Sequence, residues 1–316
     1  MTSRERVLTA LDHREPDRVP VNLRPSQELL CEFRAHVGDG GFADHFGHDV
    51  HYVGLHLPER PEGVPDDAWT PTPTAEAVAD VARAAEELHS RGLAVCGAYA
   101  CGVFEQAKAW LGDVGALVGP YEDPAGFARL LDHITEWKAA VYGAYADAGV
   151  DIVWMGDDLG SQRSLVMSPA QYREWYRPRH RDIVAHIRTR GPSAKVAFHC
   201  CGHVTPLIPD LIAIGVDVLE AVQAETMNLA ELKRDFGRDI SFWGGVGAQS
   251  VLARRSPAAV IAGVRETLAI MAPGGGYIAA PCHTLTDEVP WTAVLAFHEA
   301  IARYGAYPHP GDSAAS

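Results

Sequence analysis

The stretch from Lys195 to Val222, KVAFHCCGHVTPLIPDLIAIGVDVLEAV, decides how the chain is read. It opens with a short apolar run at 195–199, passes through a helical pattern at 204–214 and closes with a second apolar run at 216–222. Two brief runs rich in Val, Ile, Leu and Phe, separated by one amphipathic helix, are the signature of a βα unit feeding a parallel sheet. A tight antiparallel hairpin would need a turn of a few residues in place of the helix.

Working outward, comparable runs recur at 18–23, 50–54, 93–99, 151–155, 240–245 and 276–281, with helical patterns at 75–90, 124–149, 169–190, 229–236 and 257–271 between them. Asp123-Pro124, Ser168-Pro169 and Ser256-Pro257 each set an N-cap side chain before a proline at the first helical position, where the missing N–H costs nothing. The strand count predicts an α/β fold, a single (β/α)8 TIM barrel. One domain spans 1–310, with a long Pro-rich surface loop at 58–73 and a small, polar stretch from 308 that ends in a flexible tail at 311–316. A length of 316 residues suits one such barrel with insertions.

In a barrel of this kind chemistry sits on the loops at the carboxyl ends of the strands. That rule selects Asp157 and Asp158, the run His199-Cys200-Cys201-Gly202, Glu220 through Gln223, Gly244-Gly245 and Cys282-His283. The sharpest pattern is His199-x-Cys201 with Cys282 at a distant strand end. Imidazole and thiolate are the ligands zinc prefers, and three of them leave a fourth position open for substrate or water. Alternate residues of an extended segment point the same way, so His199 and Cys201 can grip one ion while Cys200 faces elsewhere. Glu220 is a candidate displaceable fourth ligand, the alternative being a loop glutamate with no such role. Asp157 and Asp158 are candidates to orient substrate or move a proton, against the simpler role of an N-cap. Arg24, Arg163, Gln223, Gln249 and His283 are candidate substrate-binding residues.

Bulk composition removes other function classes. With 27 basic and 41 acidic residues the net charge is −14, which repels nucleic acid and anionic membranes. Apolar residues at 47% and charged residues at 22% are those of a globular protein able to build a full core. The N-terminus lacks an uninterrupted apolar signal segment, and six cysteines without dense regular spacing fit a reducing, cytoplasmic setting. Cys31, Cys96 and Cys101 read as structural. Asp49-x-His51-x-x-Gly54 matches a corrinoid-binding pattern, but a Pro-rich loop follows where the corrinoid domain's helix should begin, so any methyl-corrinoid is expected on another protein.

SRERVLTALDHREPDRVPV at 3–21, FHCCGHVTPLIPDLIAIGVDVLEAVQ at 198–223, FWGGVGAQSVL at 242–252 and PGGGYIAAPCH at 273–283 resemble the uroporphyrinogen decarboxylase-like superfamily over nearly the whole chain. The resemblance implies the barrel, a homodimer and one of two chemistries. One branch removes carboxylates from a porphyrinogen without a cofactor. The other transfers methyl groups from cobamides and binds zinc through a His-x-Cys and a distant Cys, a pattern that His199, Cys201 and Cys282 match. The decarboxylase branch carries an arginine-rich segment after its first strand, where this chain has Asn22-Leu23-Arg24-Pro25-Ser26-Gln27. The run WMGDDLGSQRSLVMSP at 154–169 departs from the archaeal coenzyme M methylases and leaves the substrate open. The expected activity is therefore zinc-dependent methyl transfer to or from a thiol, with a small-molecule substrate and a methyl-corrinoid protein as donor or acceptor. The alternatives are a decarboxylase acting on a small carboxylic acid and a non-catalytic zinc-binding protein.

Overall fold

The computed structural model describes residues 1–65, 69–99, 101–253 and 256–307; the tail expected from 308 lies outside them. Its contacts fall into two compact units. One contains Met1–His51, Gly92–Ala94 and the chain from Val218 onward, and the other contains Tyr52–Arg91 and Val95–Asp217. Among the described residues there are seven strands: β1 (Val50–Val53), β2 (Ala94–Ala98), β3 (Ile152–Gly156), β4 (Lys195–His199), β5 (Val218–Val222), β6 (Ser241–Val246) and β7 (Tyr277–Pro281). No helix of the described residues is long and apolar enough to cross a membrane.

In the second unit β2, β3 and β4 pair in parallel and in chain order, with Cys96 opposite Ile152, and Gly156 opposite His199. Every residue of β3 is buried. A strand covered on both faces reads in sequence as an unbroken apolar run rather than an alternating one, which is what Ile-Val-Trp-Met-Gly supplies. The connections are helical: Pro124–Asp147 leads into β3 and Arg177–Arg190 into β4. The expected helix at 169–190 is broken into a short α-helical start at Pro169–Gln171, a π-helical turn at Tyr172–Tyr176 and the α-helix Arg177–Arg190.

In the first unit β5, β6 and β7 likewise pair in parallel, with a register shift between Glu220 and Val222. Helices Ser3–Leu11, Gln27–Val37, Leu229–Phe236, Pro257–Met271 and Trp291–Tyr304 belong to this unit. All three expected caps form: Asp123 accepts from the amide of Gly126, Ser168 from Gln171 and Ser256 from Ala259.

The expected strand at 18–23 is where the eight-strand count fails. Its residues form isolated bridges, Val21 with Ala279 and Arg18 with Ala306, in place of a ladder. On one side Asn22 N donates to Ala279 O and Ala279 N to Pro20 O; on the other Asp49 N donates to Val21 O. Two main-chain donors are missing from any longer ladder. Pro20 has no N–H, and Val21 N is taken by the Asp49 carboxylate at 2.8 Å. That carboxylate is fully buried and also receives Arg6 and Arg18. Asp49 of the apparent corrinoid pattern is thus a structural ion-pair centre.

Candidate metal centre

The ends of β3 and β4 carry the tightest cluster of ligand-type side chains among the described residues. Asp158, His199 and Cys201 each bring one ligand atom within 4.8 Å of the others. His199 Nε2 stands 3.4 Å from Cys201 Sγ and 3.5 Å from Asp158 Oδ1. Nitrogen and sulfur on one tetrahedral zinc ion, at their usual bond lengths, stand about 3.5 Å apart, and nitrogen and oxygen about 3.4 Å. The two spacings about His199 and the donor chemistry of the three residues therefore fit zinc. The imidazole is steadied by the Trp154 ring, whose centroid is 4.8 Å away. Asp158 Oδ1 also accepts the main-chain N–H of Cys201 at 2.8 Å, so the loops after β3 and β4 are tied at the site itself.

Cys200 points away, as the alternation predicts. It is buried, its sulfur accepts the N–H of Leu159 at 3.2 Å, and burial pushes its thiol well above the ordinary value. Of the three cysteines read as structural, Cys96 is buried in β2, whereas Cys31 and Cys101 are exposed.

Asp157 is placed quite differently from its neighbour. Its carboxylate is fully buried and accepts the N–H groups of Val103, Phe104 and Glu105 at 2.8, 3.0 and 2.9 Å, plus His180 Nε2 at 2.7 Å. The three amides begin the helix Val103–Glu122, whose N-cap residue is Gly102. A glycine is required there: a Cβ would lie 2.4 Å from Gly156 O and 2.6 Å from Asp157 Cγ. With no side chain of its own, the helix takes its cap from β3, and the negative carboxylate meets the positive end of the helix dipole. This is a cap, though for a helix 54 residues upstream of Asp157 rather than for the next turn.

The same first helical turn carries Glu105, a residue the strand-end rule did not select. It is half-buried, and its carboxyl is pushed up to about 7 by burial and by the charges of Asp157 and Asp158, partly offset by His199. Its sequence signal was an acid in the opening turn of a helix that follows a strand end.

The remaining candidates lie in the other unit, with the exception of Arg163, which is exposed on the loop after β3. Cys282 is buried just past β7; its sulfur accepts Ala248 N at 3.2 Å and its thiol donates to Glu225 Oε2 at 3.4 Å. Glu225 Oε1 in turn accepts Gln249 N, Ser250 N and the Ser250 hydroxyl. Glu220 is buried within β5, where Oε1 receives Arg24 at 3.1 Å. The carboxylate that receives the Cys282 thiol is that of Glu225. Gln249 and His283 line one small cavity of about 190 Å³ together with Thr284, Thr286 and Glu288. Gln223 is nearly buried at the end of β5.

Residues 104–304 match the family model described as uroporphyrinogen decarboxylase (URO-D), which is more than half of the chain. The chain belongs to the uroporphyrinogen decarboxylase family. Among solved structures, a methyltransferase from Methanosarcina mazei superposes with a TM-score of 0.72 at 20% identity, covering 96% of this chain and 99% of that one. A glycosylated endo-β-1,4-xylanase from Gloeophyllum trabeum superposes with a TM-score of 0.51 at 10% identity, covering 90% and 96%. At such identities both likenesses are of fold. That a methyltransferase and a glycosidase share it with this family member shows why activity has to be argued from the site.

Proposed function

We propose that the protein is a zinc-dependent methyltransferase that moves a methyl group to or from a thiol. The observation that carries this reading is the convergence of His199 Nε2, Cys201 Sγ and the Asp158 carboxylate at the spacing of ligands on one ion. His199 and Cys201 would hold zinc, with Asp158 as a carboxylate ligand or as the group that fixes the Cys201 main chain. Cys282 enters as a further ligand on its position in the sequence alone. Bound there, zinc would keep a thiol in its nucleophilic thiolate form at neutral pH.

The protein's own residues set the surroundings. Buried Cys200 has its sulfur engaged by the Leu159 amide, which leaves His199 and Cys201 as the ligands of this run. Burial and the charges of Asp157 and Asp158 push the Glu105 carboxyl up to about 7, which suits a group that would hold or release the proton of an arriving thiol. A methyl-corrinoid would come on a separate protein, since the Asp49 of the only corrinoid-like pattern is engaged by Arg6 and Arg18.

A decarboxylase of the porphyrinogen type is less well supported. It needs arginine forks for substrate carboxylates, and Arg24, the arginine found after residues 18–23, is already paired with Glu220. The test is metal analysis of protein purified without chelators, which should carry about one zinc per chain. His199→Ala and Cys201→Ser should each lose most of it, and Cys282→Ser judges the sequence-based ligand. Full zinc retention in both His199→Ala and Cys201→Ser would end the proposal. Methyl transfer is then assayed with small thiols against a methyl-corrinoid donor.

A further inference from the structure

His180 is a fully buried histidine on the helix Arg177–Arg190, and nothing in the reading above uses it. Its Nε2 donates to Asp157 Oδ2 at 2.7 Å, and both side chains have no solvent exposure. Its Nδ1 faces the buried Tyr172 hydroxyl at 3.4 Å. Burial pushes the Tyr172 phenol far above its ordinary range, so its O–H remains a donor. The result is a chain, Tyr172 to His180 to Asp157.

Asp157 touches the candidate metal centre through its backbone. Its N–H donates to the carbonyl of His199 at 3.1 Å, and the next residue is Asp158, which holds Cys201 N. Neighbouring glycine fixes this contact closely, since a Cβ on Gly156 would lie 2.3 Å from His199 O. Three of the four donors on the Asp157 carboxylate are backbone amides that any sequence would supply. The fourth, His180, is the side chain that selects this geometry.

We propose that His180 is a positioning residue of the metal centre, acting through Asp157 to hold Asp158 and His199 at ligand spacing; this rests on the reading of Asp158, His199 and Cys201 as a metal site. The simpler role, a satisfied core histidine packed on Phe198, predicts an effect on stability alone. The two separate in a comparison of wild type, His180→Gln and His180→Phe, using the full chain. Glutamine places an amide N–H where Nε2 was, and phenylalanine keeps the ring packing but no donor.

Zinc affinity is measured by competition with a chromogenic chelator. In chelator-stripped protein, the rate of Cys201 alkylation by iodoacetamide is followed by peptide mass spectrometry. His180→Phe should weaken zinc binding roughly tenfold, as loss of a supporting hydrogen bond behind metal ligands commonly does. It should also change the Cys201 alkylation rate, while His180→Gln stays close to wild type in both. Equal zinc affinity and equal alkylation in all three proteins, with only the melting temperature altered, overturns the proposal. If wild type binds no zinc, the metal reading has failed, and the alkylation rates still decide whether His180 positions the Cys201 loop. Should His180→Phe not fold, His180→Asn, whose amide is too short to reach Asp157, replaces it; matching His180→Gln in that variant overturns the proposal equally.

Discussion

The loop after β3 and the segment from β5 to Glu225 solve the same problem with the same device, in separate units. Each carries two acids. The one nearer the strand, Asp157 or Glu220, is buried and committed to fixed partners: three amides and His180 in one case, Arg24 in the other. The one further out, Asp158 or Glu225, faces a cysteine, through the main chain of Cys201 or the thiol of Cys282. The lesson is that position at a strand end does not by itself mark a functional acid. In the β3 loop the occupancy of the oxygens separates the two acids: the Asp157 carboxylate holds four donors, whereas that of Asp158 holds the Cys201 amide and faces His199.

The strongest way to break this contrast is Asp157→Asn against Asp158→Asn. An asparagine at 157 turns an NH2 group toward buried donors and leaves at least one of them unsatisfied beside an imidazole that has lost its anion. The unfolding free energy should fall by about 3 kcal/mol in urea titration. Asp158→Asn should unfold close to wild type but bind zinc more weakly and turn over slowly. If Asp157→Asn is as stable as wild type and inactive, the assignment of the two acids is reversed.

The closely packed His48 and His298 allow a test by pH. His48 Nε2 and His298 Nε2 are 3.0 Å apart, and His298 Nδ1 is 2.8 Å from the carbonyl of Val294. A carbonyl can only accept, so His298 carries its proton on Nδ1 and receives the one from His48; a further proton on His48 Nδ1, which is buried with no hydrogen-bond partner, would be left without an acceptor. Burial holds His48 well below its ordinary 6.5 and His298 down to about 4. Between those values the unfolded chain binds protons that the folded one refuses. Stability is therefore complete above about pH 6.5 and lost as pH falls toward 4. Urea unfolding should show a loss of about 4 kcal/mol between about pH 7 and about pH 5, about 2 from each histidine, flattened in a His48→Phe, His298→Phe double variant. An unchanged slope in that variant would mean the histidines titrate normally.

In the unit that holds His48 and His298, Glu220→Gln removes the charge opposite Arg24. Arg24 keeps partial exposure, so the cost should be smaller, about 1.5 kcal/mol, with zinc content unaffected. Loss of zinc in this variant would support Glu220 as a ligand.

Strands and caps were legible because they depend on local pattern: β1 through β7 match the runs that mark them to within two residues at either end, and Asp123, Ser168 and Ser256 cap where the Asp-Pro and Ser-Pro pairs say. The ladder at 18–23 was not, because Pro20 and the carboxylate of Asp49 deny it donors, and the second is a contact 28 residues away. His199 and Cys201 were legible from ligand type and spacing. Asp157 as a remote cap, His180 behind it and Glu225 beside Cys282 were not, since each is defined by partners from distant elements. Gly102 was the one local hint, a helix start with no side chain to cap itself.

The smallest effect expected on stability is also the sharpest probe of the second acid pair. Glu225→Gln keeps Oε1 for Gln249, Ser250 N and the Ser250 hydroxyl, so the loop should stay folded within about 1 kcal/mol of wild type. What changes is the atom facing Cys282. A carboxylate oxygen accepts the thiol proton and opposes thiolate formation by its charge, whereas an amide NH2 donates toward sulfur and joins Ala248 N in favouring the thiolate. In chelator-stripped protein, Cys282 should therefore react faster with a small alkylating reagent at neutral pH in Glu225→Gln than in wild type. Glu220→Gln should leave that rate alone, since Glu220 is directed at Arg24. Equal rates in wild type and Glu225→Gln would show that Glu225 does not govern the Cys282 thiol, and the parallel between the two acid pairs would reduce to the β3 loop alone.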